Sequence, residues 1–382
     1  MVRNSRNPFA YGGVVTGNAF CNREKEGADL AKAIRNHEKL FVFSERRFGK
    51  TSLVQHVLGR LSKKKAVCAY VDLWPTDSEA TFVTAVAKAI TQSMSTSVEK
   101  LLQTGKKLFS NLAPSVTVDE EGKPEVSFGL SKHAPLGPVL DEVLATPAKI
   151  AAKGERDVAI VFDEFQQILE YDNDHVEKKL RSAIQNQSEV AYIFLGSRKH
   201  LIQKMFMDRS RPLYRAGGHY PLGPIAEEHW LPFIRERFAA ARKQIRGQLI
   251  HSICEQTQGH PFYTQHLCHA VWELCAPNAA VTEELVKDAV RLLLERESYA
   301  YSTLWESLAT NQRKLLKGLA GQTAKVKPFA GEFVRRSGLG SPSNAQRAVD
   351  SLLERDVIDR ENGSFIITDR FFRLWIQTVQ LA

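Results

Sequence analysis

The sequence of 382 residues has no apolar run approaching the roughly 20 residues that a membrane-spanning helix needs, so no membrane partner is expected. Its opening, MVRNSRNPFAYGG, lacks the apolar stretch of a secretory signal. Cysteine is sparse and odd in number: Cys21, Cys68, Cys254, Cys268 and Cys275 carry no metal-ligand spacing, and no His/Cys cluster joins Cys268 and Cys275. This argues against a disulfide scaffold or a structural zinc site, and for reduced, mostly buried thiols in a cytoplasmic protein. Internal repeats and low-complexity tracts are missing too. Hydrophobic residues at 43% and charged residues at 25% exclude a disordered chain. Positive charge is in excess, with a net +9. That points to polyanionic partners such as nucleotides or nucleic acid, or to a scattered solubility charge.

The first half alternates short β-rich runs with longer helical patterns. Strands are expected at Leu40 to Ser44, Ala66 to Leu73, Asp157 to Glu164 and Val190 to Ser197. Each is almost continuously apolar, as parallel strands covered on both faces require. Helical patterns at Thr51 to Ser62, Ser78 to Met94, Pro138 to Ala152 and Asp174 to Asn186 separate them, which predicts a parallel α/β sheet with right-handed crossovers. A β-hairpin insertion is expected at about 111–132, with its turn at Glu121-Gly122-Lys123-Pro124. From Pro224 the pattern is helical: Ala226 to Lys243, Gly247 to Thr257, Pro261 to Leu274 and Thr282 to Ser298, with Gly259-His260-Pro261 as a stop and restart. From about Tyr301, three helical patterns precede two short strands around Glu361-Asn362-Gly363, the order of a winged helix-turn-helix. The expected domains are thus 1–223, 224–300 and 301–382.

The sharpest motif follows the first strand: Ser44-Glu45-Arg46-Arg47-Phe48-Gly49-Lys50-Thr51 has the GK[ST] ending of a P-loop. Successive amides between a buried strand and a helix can wrap a β-phosphate, and the helix N-terminus adds a favourable field. Gly49 permits close approach, Lys50 neutralises the β- and γ-phosphates, and the Thr51 hydroxyl ligates Mg2+. Ser44 stands at the first position, where glycine is usual, and fits only at negative φ. About 110 residues on, the apolar strand Val158 to Phe162 ends in Asp163-Glu164. This is a Walker B pattern, with Asp163 on the metal and Glu164 polarising the attacking water. Phe194-Leu195-Gly196-Ser197-Arg198 ends the last of these strands; Arg198 there either reaches the γ-phosphate as a sensor or is a surface arginine at a helix start.

Together these residues resemble the STAND-type P-loop ATPases of the AAA+ class, in particular the archaeal-type ATPase domain family. The resemblance runs over nearly the whole chain. Asn7-Pro8-Phe9 and the stretch Phe20-Cys21-Asn22-Arg23-Glu24-Lys25-Glu26 are similar to that family's N-terminal segments, with Asn22 in place of a glycine. The resemblance implies that Phe20, Arg23 and Glu26 lie on the adenine side. SERRFGKTSL matches the family P-loop at Arg46, Arg47 and Ser52, and VFDEFQQI matches its Walker B, including Phe165 and Gln166. Asp208 to Arg215 also looks like the family. Gly259-His260-Pro261 resembles its GxP motif and implies a role for Pro261 beside the nucleotide. The C-terminal histidine by which some relatives sense ADP has no counterpart.

The fold class expected is therefore a parallel-sheet α/β P-loop NTPase of AAA+/STAND type, then a helical lid, then a winged helix. The function expected is an ATP-binding, slowly hydrolysing switch using Mg2+, with ATP and ADP as its nucleotides. Catalysis falls to Lys50, Glu164 and Arg198; Thr51 and Asp163 hold the metal; Ser44, Arg46, Arg47, Phe48, Gly49, Lys50, Thr51, Ser52, Phe20, Arg23, Glu26 and Pro261 bind nucleotide. A protein partner and a homo-oligomer formed on ATP binding are expected for a switch. Arg209, Arg211 and Arg215 are either arginine fingers of such an oligomer or structural ion pairs. The rival reading is an initiator or loader docking its winged helix on duplex DNA. Against it, the reading helix, about Pro342 to Arg355, balances Arg347 and Arg355 with Asp350 and Glu354.

Overall fold

The computed structural model describes residues 6–380 except 62–64, 96, 119–121, 123, 131–134, 155, 322–327 and 362–363. Parts of the two expected turns, at Glu121, Lys123, Asn362 and Gly363, lie outside the described residues. The chain packs as two units: Glu24–Ser44 with Lys50–Leu222, and Met1–Arg23 with Glu45–Gly49 and Gly223–Ala382.

The first of these is built on a five-stranded sheet. Its strands are β1 (Lys39–Phe43), β2 (Ala66–Asp72), β5 (Asp157–Asp163), β6 (Val190–Gly196) and β7 (Gly218–Pro221), in the order β2-β5-β6-β1-β7. Every pair is parallel. Helices α1 (Glu24–Arg35), α2 (Lys50–Arg60), α3 (Glu79–Met94), α4 (Val98–Leu108), α5 (Leu136–Ala151), α6 (His175–Asn186) and α7 (Lys199–Met207) accompany it. The antiparallel pair β3 (Leu112–Val118) and β4 (Pro124–Leu130) forms the expected hairpin. Apolar runs make the central strands because both faces are covered: all seven residues of β6 are buried. Phe41, Phe162 and Phe194 stack across β1, β5 and β6, with Phe194 at 4.8 Å from Phe41 and 5.6 Å from Phe162. Ser78 caps α3 by accepting from the Thr81 amide. The register sets Asp72 opposite Asp163 and Phe43 opposite Gly196. The strands' carboxyl ends, where α2 and the 3-10 turn Phe165–Glu170 begin, therefore share one edge.

The second unit is helical: α8 (Glu227–Ala240), α9 (Gly247–Thr257), α10 (Pro261–Leu274), α11 (Glu283–Glu306), α12 (Thr310–Ala320), α13 (Gly331–Arg336) and α14 (Pro342–Glu354). A wing of β8 (Ile358–Glu361) and β9 (Ser364–Ile367) follows, then α15 (Arg370–Trp375). The three helices, wing and last helix are a winged helix. One continuous core joins Trp230, Phe238 and Leu267 to Leu315, Val349 and Trp375. The N-terminal segment belongs to it: Phe9 packs on Phe238 at 5.6 Å, and the Asn7 amide donates to the His269 carbonyl at 3.1 Å. The pattern expected to end at Ser298 instead continues to Glu306 as one helix. No breaker intervenes, and Tyr301 and Trp305, one turn apart, are buried on it. All five cysteines are free and four are buried, and burial pushes the Cys21 and Cys254 thiols up to about 12. No helix among the described residues is long and apolar enough to cross a membrane.

Candidate functional site

The loop between β1 and α2 turns at two left-handed residues, Arg47 at φ 61° and Gly49 at φ 80°. Glycine serves the second without strain; arginine at the first carries a backbone cost of order 1–3 kcal/mol that the surrounding contacts must offset. Ser44 is not among the residues at positive φ, so a side chain is tolerated where glycine is usual. Ser44 is fully buried, and its Oγ accepts a 2.9 Å hydrogen bond from Lys50 Nζ. Lys50 itself is the first residue of α2 and is 5% exposed.

The carboxyl end of β5, the expected Walker B strand, meets the start of α2. Thr51 Oγ1 donates to Asp163 Oδ2 at 2.6 Å. Tyr70 Oη, on the neighbouring strand β2, donates to the same oxygen at 2.5 Å, and the Glu164 amide donates to Asp163 Oδ1 at 2.9 Å. Burial pushes the Asp163 carboxyl up, and the Thr51 and Tyr70 hydroxyls pull it back. Tyr70 is pushed well up by burial first and by the Asp163 charge second, which keeps its hydroxyl a donor. Glu164 sits in the left-handed region at φ 50°. Its Oε2 accepts from Ser197 Oγ at 2.7 Å and from the Gln166 amide. Ser197, immediately past β6, is therefore the residue of that strand end that touches Walker B. Arg198 heads α7, with Nη1 3.9 Å from Glu170 Oε1.

The tip of the loop, Glu45–Gly49, packs within the helical unit. Each of its four side chains has a named contact there. Glu45 Oε2 lies 2.9 Å from Arg370 Nη2, both residues being 3% exposed. Arg46 pairs with Asp356 at 3.2 Å. The Arg47 guanidinium lies 4.3 Å from the Phe262 ring centre, and Phe48 meets His260 edge-on at 4.3 Å. Arg23 donates to the carbonyls of Gly223 at 2.7 Å and Phe48 at 3.5 Å. Asn22 is left-handed at φ 53°, which explains a glycine-like residue at that position. Phe20 is half-buried just after the 3-10 turn Gly17–Ala19. Pro261 opens α10, one residue from the His260 that touches Phe48. Ser52 is buried on α2, and Glu26 is half-buried on α1. Arg211 pairs with the buried Glu177, whereas Arg209 and Arg215 are exposed.

The helix start at Lys50, the Thr51–Asp163 pair and the oriented Glu164 are the parts from which P-loop ATPases are made, here on a parallel sheet followed by a winged helix. Residues 20–267 match the model of an ATPase domain predominantly from Archaea, and the chain belongs to that family. Residues 299–378 match a probable winged helix domain. In solved structures the fold resembles a Walker-type ATPase of Pyrococcus abyssi, with 15% identity, TM-score 0.65, and coverage of 97% of this chain and 99% of that one. It also resembles the ORC2 protein of Aeropyrum pernix, solved as ADPNP–ADP complexes, with 13% identity, TM-score 0.57, and coverage of 99% and 98%. No curated protein sequence matches the chain significantly.

Sequence reasoning did not single out the roles of Tyr70, Ser197, Arg370 and Asp356, which the structure sets against Asp163, Glu164, Glu45 and Arg46. Only the strand register and the tertiary fold bring these side chains in.

Proposed function

We propose that the protein is an ATP-binding and slowly ATP-hydrolysing switch of the STAND type. The observation that carries this reading is the 2.6 Å bond between Thr51 Oγ1 and Asp163 Oδ2, formed at the end of a loop that closes on Lys50. Those two hard oxygen donors suit Mg2+, which takes few protein ligands and completes its shell with water and phosphate oxygens. Thr51 and Asp163 would hold that ion, and when bound it would neutralise charge on the β- and γ-phosphates. Loop amides and the N-terminus of α2 would receive the phosphates, with Lys50 as their counter-charge. Glu164 would polarise the attacking water, its carboxylate oriented through Oε2 by Ser197 and Gln166. Arg198 would serve as a γ-phosphate sensor, and Phe20, Arg23, Glu26 and Pro261 would line the adenine side. The output would be a changed arrangement of lid and winged helix, read by a protein partner or a second copy of the chain.

Equilibrium binding of a fluorescent ATP analogue tests the reading. Lys50→Ala should abolish binding, and an unchanged affinity removes the P-loop assignment. Glu164→Gln should bind normally and release no phosphate; normal release takes the base role from Glu164. The second reading, docking on duplex DNA, draws support from the exposed Arg335 and Arg336 on α13 and the exposed Arg360 on the wing.

A further inference from the structure

Asp163 is close to saturated with hydrogen-bond donors. Oδ2 accepts from Thr51 Oγ1 at 2.6 Å and from Tyr70 Oη at 2.5 Å, and Oδ1 accepts from the Glu164 amide at 2.9 Å. An ionised carboxylate offers about four lone-pair sites, two on each oxygen. Both sites of Oδ2 are therefore taken, and among the described residues one site of Oδ1 stays open.

Tyr70 reaches this carboxylate through the sheet. Strands β2 and β5 run parallel, with Asp72 opposite Asp163 and Tyr70 opposite Val161. Alternate residues of a strand share a face, so Tyr70 and Asp72 lie on the face that carries Asp163, and the long phenol spans the diagonal between the strands. Tyr70 is half-buried, whereas Asp163 is 4% exposed. Phenylalanine would fill the same space in β2; only the hydroxyl bears on Asp163.

The open site bears on which metal suits the carboxylate. Mg2+ keeps several waters and takes one or two carboxylates in a near-ideal octahedron, whereas Ca2+ takes more oxygens and accepts both oxygens of one carboxylate. A carboxylate whose Oδ2 is filled by two hydroxyls cannot chelate through both oxygens. Thr51 gives Asp163 only its proton, which leaves the lone pairs of Oγ1 for the metal.

We propose that Tyr70 is a positioning residue that sets the choice of metal: its hydroxyl closes Asp163 Oδ2, so the carboxylate meets a metal through Oδ1 alone and the site takes Mg2+ in preference to Ca2+. The proposal rests on the ATP-binding reading above and adds metal selectivity to it.

The test titrates Mg2+ and Ca2+ separately into the full-length chain with mant-ADP, against a reference in EDTA, with a thermal melt of each variant. The parent should need less Mg2+ than Ca2+ for the same gain in nucleotide affinity. Tyr70→Phe should match the parent in EDTA and need roughly tenfold more Mg2+, the usual cost of removing a hydrogen bond behind a metal ligand. Its Ca2+ requirement should stay level or fall, because Oδ2 is then open, so the preference narrows. Unchanged requirements for both metals overturn the proposal. An equal rise for both overturns it too, since that is what a loosened strand predicts. If Tyr70→Phe does not fold, the parent decides alone, an equal need for the two metals counting against the proposal. A parent chain that binds no mant-ADP in any buffer strikes the ATP reading itself; a Mg2+-dependent parent with an unaltered Tyr70→Phe strikes the role of Tyr70 alone.

Discussion

His266 sets a pH limit through its surroundings. Tyr11 stacks on its ring at 3.8 Å, Phe371 lies 5.5 Å away, and Nδ1 has no hydrogen-bond partner among the described residues. Burial first, then the charges of His269, Arg296 and Arg47, pushes its pKa down to about 4. The unfolded chain binds that proton near pH 6.5, so the folded chain carries fewer protons between the two values. Stability is therefore complete above pH 6.5 and is lost as pH falls towards 4. After allowance for partial solvent screening, the loss at pH 5 is on the order of 1 kcal/mol. Melting temperatures at pH 7.5 and pH 5 should diverge less in His266→Gln than in the parent; equal losses would show that the proton binds elsewhere. Single residues differ in how far they can be read in advance. The approach of Thr51 to Asp163 was legible because a P-loop end and a Walker B strand end are expected to meet, and the two side chains lie 2.6 Å apart. Tyr70 was not, since a tyrosine in an apolar strand looks like core until the register sets Asp72 against Asp163.

Elements were legible where punctuation and periodicity agree. Helices α9 and α10 begin and end where expected because Gly259-His260-Pro261 stops one and starts the other. Gly259 is left-handed at φ 63°, and an added Cβ would lie 2.4 Å from the Ile225 carbonyl oxygen. Backbone cannot yield as a flexible side chain does, so Gly259→Ala should cost about 3 kcal/mol. Urea unfolding should show the lowered midpoint with an unchanged slope; a midpoint within error of the parent would mean the turn relaxes freely. The same turn carries His260 against Phe48, so nucleotide affinity should fall with it. Strand β7 gave no such signal. Gly218-His219-Tyr220-Pro221 has a glycine and a proline among four residues, and it is a strand only because β1 offers an edge to pair with. The end of α11 was misplaced for the reverse reason: Tyr301 and Trp305 suit either a new helix or more of the old one, and core packing decides.

Across the whole molecule the net charge of +9 suggests a nucleic-acid partner, but its placement on the winged helix does not. The exposed face of α14 sets Arg347 beside Asp350 and Glu354, with Arg355 at the C-cap just past it. Its donors are already engaged: Arg347 Nη2 bonds Asn344 at 2.7 Å, Arg355 Nη2 bonds Ser307 at 2.7 Å, and the Gln346 amide bonds Asp350 at 2.7 Å. A helix that reads base edges needs those groups turned outward. Arg370, the most deeply buried arginine of this segment, is paired with Glu45 and is not turned outward. Among the described residues of the winged helix, the exposed arginines outside α14 and its C-cap are Arg335, Arg336 and Arg360, and Arg360 already lies 5.2 Å from the Phe365 ring centre. Three such contacts give weak, sequence-independent binding, with a dissociation constant on the order of 10⁻⁵ M at physiological salt and a log–log salt slope of about −3. Fluorescence anisotropy of labelled duplexes between 50 and 200 mM salt measures both. The Arg335→Ala/Arg336→Ala chain should lose about two units of that slope with its nucleotide affinity intact. Nanomolar, sequence-selective binding by the parent chain would favour the DNA-docking reading over the proposed switch.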